Sequence, residues 1–239
     1  MSLLLSGVEP FAQGGNRLCF VYPDNQNRCI KVRRPDFTLE DRRRKKGFPK
    51  NLKPLSSFDD NAEEYRVMKQ LYSRFGDALY EHVSRCFGFE DTDMGKGLVS
   101  DLIRDNNQKV SHTLKQYIWD NGYTDDCKDS VNQFCSYWEG LGVPSRDLLL
   151  HNIVAQINAE GNIDRLVVID GLGSSSMFPN WMLPTSFFKK KAKRKTENLR
   201  HRIELLLQDR EKGGGFPGYH GLLMHDGAPS DKAINNKST

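Results

Sequence analysis

The stretch that most restricts this chain is Leu166-Val167-Val168-Ile169, an uninterrupted apolar run that ends in Asp170-Gly171. So short a run, rich in β-branched residues, describes a buried strand, and the side chain that closes it is a carboxylate. A second carboxylate and an amide lie upstream. Ser145-Arg146-Asp147-Leu148-Leu149-Leu150-His151-Asn152 sets Asp147 and Asn152 five positions apart in an otherwise apolar setting, and Asp170 stands eighteen positions beyond Asn152. Phosphoryl transfer needs an acid near the acceptor hydroxyl, an amide oxygen on a metal ion and a second acid on that metal. Asp147, Asn152 and Asp170 supply that inventory in chain order. The plainer use of Asp147 and Asn152 is as a capping or turn pair in a loop.

Upstream, residues 11 to 32 read as a hairpin with its turn at Pro23-Asp24-Asn25. Gly14-Gly15-Asn16 interrupts the apolar residues before it and suits a turn that needs positive φ. Lys31 sits between Ile30 and Val32 on a strand whose neighbours are buried, and buried lysines are uncommon unless paired. Residues 33 to 60 are charged and proline-broken and read as one irregular loop. Asp59-Asp60-Asn61 then offers N-caps for a helix through Phe75, with Tyr65, Met68, Leu71 and Tyr72 along its apolar side. Glu64 borders that side, placed to reach Lys31; Glu63 is the fallback, and both acids also suit a helix start. Two strands are expected at Cys86 to Glu90 and Gly97 to Ile103, around the turn 91 to 95.

The second half reads as helical. Leu114, Tyr117 and Ile118 form an apolar patch behind a Ser111 or Thr113 cap. Thr124-Asp125-Asp126 opens a longer helix with Cys127, Val131, Phe134, Cys135 and Trp138 at helical spacing, stopped by Gly140 and Gly142. Gly171 to Ser176 is a polar, flexible segment. Pro184-Thr185 opens a last helix, Phe187 to Arg210, with Phe188, Ala192, Leu199, Ile203 and Leu206 on one side and cations on the other. Residues 211 to 239 read as a mobile tail.

The ordered set of Lys31, Glu64, Arg146-Asp147-x4-Asn152 and the strand ending at Asp170-Gly171 resembles the protein-kinase-like fold. Within it the chain resembles the YrbL family of small bacterial kinase-like proteins, named from a PhoP regulatory network. The resemblance runs from about Phe11 to about Asp170. It implies an α+β, bilobal fold: a β-rich N-lobe over residues 1–102, a short helical C-lobe over 103–210, and the tail 211–239. It also implies ATP and Mg²⁺ as cofactors. Gly14 and Gly15 would cover the nucleotide phosphates, Lys31 paired with Glu64 would hold them, Asn152 and Asp170 would bind the metal, and Asp147 would take the acceptor's proton.

Departures from the kinase pattern narrow this expectation. Ser145 replaces the histidine that opens the catalytic loop, Leu149 the lysine two positions after the acid, and Gly171 the phenylalanine after the metal acid. No Ala-Pro-Glu follows, and the large lobe is short. These losses weigh against a protein substrate. Two functions stand: a phosphotransferase acting on a small-molecule, sugar or lipopolysaccharide-core hydroxyl, or a pseudokinase, a nucleotide-binding regulatory module without phosphotransfer.

Charge adds a partner expectation. The net charge is only +4, yet Arg42, Arg43, Arg44, Lys45 and Lys46 are consecutive. Lys189, Lys190, Lys191, Lys193, Arg194 and Lys195 fill all but one place of another seven-residue run. Such clusters suit an anionic membrane surface; no interleaved aromatic platform accompanies them, which weighs against nucleic acid. No apolar run approaches the ~20 residues that cross a bilayer, and Leu3-Leu4-Leu5 is too short for a signal-peptide core. A cytoplasmic protein, peripheral at the inner membrane, is the expectation. Five cysteines without a Cys-x-x-Cys pair predict reduced, mostly buried thiols rather than a disulfide framework or zinc site.

Overall fold

Alternation decides the first sheet. In the strand Arg28–Arg33, Ile30 and Val32 turn to one face, where they join Leu5, Phe20 and Val99 in a buried cluster. Lys31, between them, takes the other face because successive strand side chains point oppositely. The computed structural model, which describes residues 2–173 and 184–227, places this strand at the centre of a five-stranded antiparallel sheet. In chain order the strands are β1 (Ala12–Gln13), β2 (Arg17–Val21), β3 (Arg28–Arg33), β4 (Cys86–Thr92) and β5 (Gly95–Asp101), and they lie in the order β1-β2-β3-β5-β4. The expected hairpin is β2–β3, with Cys19 opposite Lys31. The fold is mixed α+β, an N-terminal antiparallel sheet followed by a helical C-terminal part, as the sequence led one to expect.

Two compact units divide the chain. The first comprises Met1–Lys69, Arg85–Leu102 and Leu223–Thr239, and the second Gln70–Ser84 and Ile103–Leu222. In the first, residues 33 to 60 are not one irregular loop. They contain helix α1 (Leu39–Lys46), started by a reciprocal cap in which the Thr38 hydroxyl accepts from Asp41 N–H at 3.1 Å and the Asp41 carboxylate accepts from Thr38 N–H at 3.0 Å. Helix α1 buries none of its residues, so its hydrophobicity gave no period to read. Helix α2 (Asp60–Phe75) begins as expected, with Asp59 Oδ1 accepting from the N–H groups of Asn61 and Ala62 at 2.9 and 3.2 Å. Val67, Met68 and Leu71 are its buried face. Tyr72 is not part of that face: it is 46% exposed and stacks on Tyr80.

In the second unit, α3 (Leu114–Asn121) and α4 (Asp125–Leu141) start at the hydroxyl caps Thr113 and Thr124. Gly140 lies within α4, and the helix ends at Gly142, whose left-handed backbone (φ 68°, ψ 44°) closes the last turn. The expected stripe of Cys127, Val131, Phe134, Cys135 and Trp138 is wholly buried. A two-stranded hairpin follows, β6 (Ile153–Ile157) and β7 (Ile163–Val168). Helix α5 (Thr185–Glu211) buries Phe188, Ala192, Leu199, Ile203 and Leu206, and also Thr196. Burial of each large apolar side chain of this kind stabilises by roughly 2 kcal/mol. All five cysteines are free thiols; burial pushes Cys127 up to about 12 and Cys135 up to about 11, far from thiolate reactivity. Among the described residues no helix is long and apolar enough to cross a membrane.

The expected mobile tail is packed as far as it is described. In the second unit, Phe216 meets the Trp119 ring edge to face, Lys115 donates to the Pro217 carbonyl, and Thr113 Oγ1 donates to the Gly221 carbonyl at 2.7 Å. In the first unit, Leu223 bridges to Ala12, and Met224 N–H donates to the Phe11 carbonyl at 2.8 Å. Backbone hydrogen bonding, which composition cannot register, is what orders this glycine-rich stretch. Residues 228–239 of that tail, and Ser174 to Ser176 of the expected flexible segment, lie outside the described residues.

Candidate active site

The register of one hairpin assembles three of the expected residues. Ile153 pairs with Val168, so the position before β6 falls opposite the position after β7, and Ile169 N–H donates to the Asn152 carbonyl at 2.9 Å. Asp170 is the next residue. The segment beyond it is fastened to the loop that carries Asp147. Arg146 N–H donates to the Gly171 carbonyl at 2.9 Å, Gly173 N–H donates to the Pro144 carbonyl at 3.0 Å, and Ser145 bridges to Leu172. Residues 171 to 173 are therefore a paired segment.

At Gly171, the residue after Asp170, the chain passes close to the Asn152 side chain and to the backbone of Asp147. The φ of Gly171 is +83°, and a Cβ built there would stand 3.0 Å from Asn152 Nδ2 and 3.0 Å from the Asp147 carbonyl oxygen. The Gly171 N–H donates to Asp170 Oδ1 at 2.6 Å. A side chain there would have to displace these neighbours by a few tenths of an ångström at a backbone angle it rarely adopts, which favours glycine at this position.

Two residues of this site were not read from sequence as belonging to it. Arg202 Nη2 donates to Asp147 Oδ2 at 2.6 Å, and Lys195 Nζ stands 3.7 Å from Asp147 Oδ1. Both cations come from α5, seven positions apart. Helical geometry puts such a pair on one face two turns apart, a signal the sequence did carry. Lys195 was read there as one of a surface cluster. Arg42 of the other cluster is likewise engaged internally, on the Asp60 carboxylate.

His151, between Asp147 and Asn152, stacks on His220 with ring centroids 5.5 Å apart. Burial, reinforced by the neighbouring His220 and Lys115 charges against the opposing pull of Asp170, holds its pKa down to about 4. It is therefore neutral at pH 7 and adds no charge to the loop.

In the first unit, Lys31 Nζ donates to Glu64 Oε1 at 2.8 Å, with the two side chains only 8% and 11% exposed. Glu64 rather than Glu63 makes this contact; Glu63 lies within 4.0 Å of Arg66 along its own helix. Arg17 also pairs with Glu64 and donates to Asn61 Oδ1 at 3.1 Å, while Asn61 Nδ2 donates to the Lys31 carbonyl at 2.8 Å. Arg17 is a further site residue missed in sequence; it lies two places before Cys19, hence on the same face of β2 as the residue opposite Lys31. Gly14 and Gly15 form the β1–β2 turn, closed by Gly14 N–H donating to the Arg17 carbonyl at 2.9 Å. Neither takes the positive φ expected of them, because this turn closes with ordinary backbone angles.

The donor chemistry fits a hard divalent cation. Asn152 and Asp170 offer amide and carboxylate oxygens, the class of ligand Mg²⁺ accepts while keeping phosphate and water in its remaining positions. Among the described residues no cluster of three or more His, Cys, Asp or Glu is placed to hold a metal ion.

The family described as PhoP regulatory network protein YrbL matches residues 3–204. The chain belongs to this family. Uncharacterized protein YrbL of Escherichia coli strain K12 is 26% identical over 180 residues, 73% of this chain and 75% of that protein. The YrbL protein of Shigella flexneri aligns equally. A crystal structure of Rad53 1-466 in complex with AMP-PNP aligns with 69% of the chain at 13% identity, with a TM-score of 0.41. The chain spans only 37% of that protein, a likeness too slight to argue from.

Proposed function

We propose that this YrbL-family chain is an ATP- and Mg²⁺-dependent phosphotransferase whose acceptor is a hydroxyl on a small molecule or sugar. The observation that carries the reading is that the β6–β7 register and the 144–146 to 171–173 pairing bring the Asp147 backbone and the Asn152 side chain against Gly171, the residue after Asp170. In this role Asp147 orients the acceptor hydroxyl and accepts its proton as the new P–O bond forms and the bond to the ADP oxygen breaks. Asn152 and Asp170 would hold the metal, which supplies charge neutralisation on the phosphates. Lys31, fixed by Glu64, binds phosphate oxygens. The missing Ala-Pro-Glu and the short helical unit favour a compact acceptor over a protein.

A second reading has its own support. Arg202 already occupies Asp147 Oδ2, an engagement that suits a nucleotide-binding module without turnover. Purified full-length chain incubated with ATP and Mg²⁺ separates the two. Phosphotransferase activity predicts ATP turnover that rises with the right hydroxyl acceptor and is lost in Asp147→Ala and Asp170→Ala. Thermal stabilisation by Mg-ATP without turnover supports the regulatory module, and no nucleotide-dependent stabilisation overturns both.

A further inference from the structure

We infer that Lys195 of α5 is the cation that pairs with the phosphoryl group as it is transferred, and that Arg202, two turns along the same helix, positions Asp147 beside it. This rests on the phosphotransferase reading and adds to it the residue that neutralises the reacting phosphate. Asp147 sits at an incline of charge. Arg202 Nη2 satisfies its Oδ2 at 2.6 Å, while Lys195 Nζ lies 3.7 Å from Oδ1, beyond hydrogen-bond reach. Oδ1 is enclosed and has no hydrogen-bond partner among the described residues. Asp147 is also the one carboxylate within ion-pair distance of either cation among those residues. Lys195 therefore faces the acid without a hydrogen bond to it, and a cation held mostly out of water in this way is available to an anion.

Placement distinguishes Lys195 from most of its run. Lys189, Lys190, Lys193 and Arg194 are exposed, whereas the Lys195 side chain is only 16% exposed, and Lys195, unlike the similarly half-buried Lys191, faces Asp147. The three residues that follow the acid in the loop, Leu148, Leu149 and Leu150, bring it no charge. Phosphoryl transfer develops charge on the equatorial oxygens of the moving group, and a fixed cation there stabilises the transition state. With Leu149 at the position where the kinase pattern has lysine, α5 delivers the charge from outside the loop.

The test compares wild type with Lys195→Met, Lys195→Arg and Arg202→Gln as full-length chains. ATP and ADP binding with Mg²⁺ is measured by calorimetry, turnover by ATP consumption, and integrity by thermal melting. Lys195→Met should weaken ATP about tenfold and lower kcat about a hundredfold while leaving ADP within about twofold, because only the terminal phosphate loses its partner. Lys195→Arg should restore most of the ATP-over-ADP preference. Arg202→Gln should lower kcat with the KM for ATP held within about twofold, since it acts through Asp147. If Lys195→Met changes ATP and ADP binding equally, or leaves both ATP affinity and kcat near wild type, the assignment of Lys195 is overturned while the phosphotransferase reading stands. A wild type that binds ATP but turns none over removes that reading and this inference with it.

Discussion

Gly221 presses its backbone onto His151: a Cβ built at Gly221 would stand 2.8 Å from His151 Cβ and 2.9 Å from Thr113 Oγ1, and its φ is +92°. The residue after Asp147's apolar run is thus covered by a segment near the end of the chain. Gly221→Ala should destabilise by about 2 kcal/mol, from backbone strain and the contact together. Urea unfolding monitored by Trp fluorescence checks this, and a midpoint unchanged from wild type would refute the packing of this segment.

The same cover controls a titration. The His151 pKa is held down to about 4, chiefly by burial, against an ordinary value of 6.5. A histidine depressed in the folded state binds its proton more readily when unfolded. Stability from this group is therefore complete above about pH 6.5 and declines as pH falls toward 4. His82, whose pKa burial also lowers, works in the same direction. The melting temperature should fall across this window, and His151→Asn should flatten part of the fall. Deleting residues 213–239 should expose His151 and raise its pKa toward the ordinary value, which NMR titration of its ring protons would read directly.

How much of this was legible depended on whether a signal was local. The hydrophobic stripes of α4 and α5 and the hydroxyl caps at Thr113 and Thr124 each announce themselves within a few residues and stand as expected, and the expected strand before Asp170 is present but ends at Val168, two residues short of the acid. Helix α1 did not, because an all-polar helix has no hydrophobic period; only the Thr38 to Asp41 spacing marks its start. The close passage at Gly171 depends on the β6–β7 register, and β6 was not foreseen at all. Arg202 met Asp147 across 55 residues. Its heptad relation to Lys195 was visible, but the partner that gives that relation meaning was not.

Gly171→Ala tests the close passage without removing any polar group. The new methyl would meet both the Asp147 carbonyl and the Asn152 amide at 3.0 Å, at a backbone angle alanine avoids. A loss of about 1–3 kcal/mol is expected, together with weakened Mg-ATP stabilisation in thermal shift. Retention of both would show that Asn152 and Asp147 do not depend on this close passage.

The buried ion pair of the first unit makes an asymmetric prediction. Glu64 serves two cations, Lys31 and Arg17, whose side chains are 8% and 13% exposed. Lys31→Met removes one cation, leaves Glu64 paired with Arg17, and puts an apolar stem beside the buried strand. It should cost about 1 kcal/mol or less, since exchanging a buried charge for a packed apolar group is often near neutral. Glu64→Gln instead removes the carboxylate that both cations share, and should cost about 3 kcal/mol, since taking one charged partner out of a buried ion pair is strongly destabilising. Urea midpoints of the two variants measure the difference, with slopes compared to confirm that the unfolded states match. Equal losses, or a larger loss in Lys31→Met, would mean that Glu64 is not the shared acid on which both cations depend.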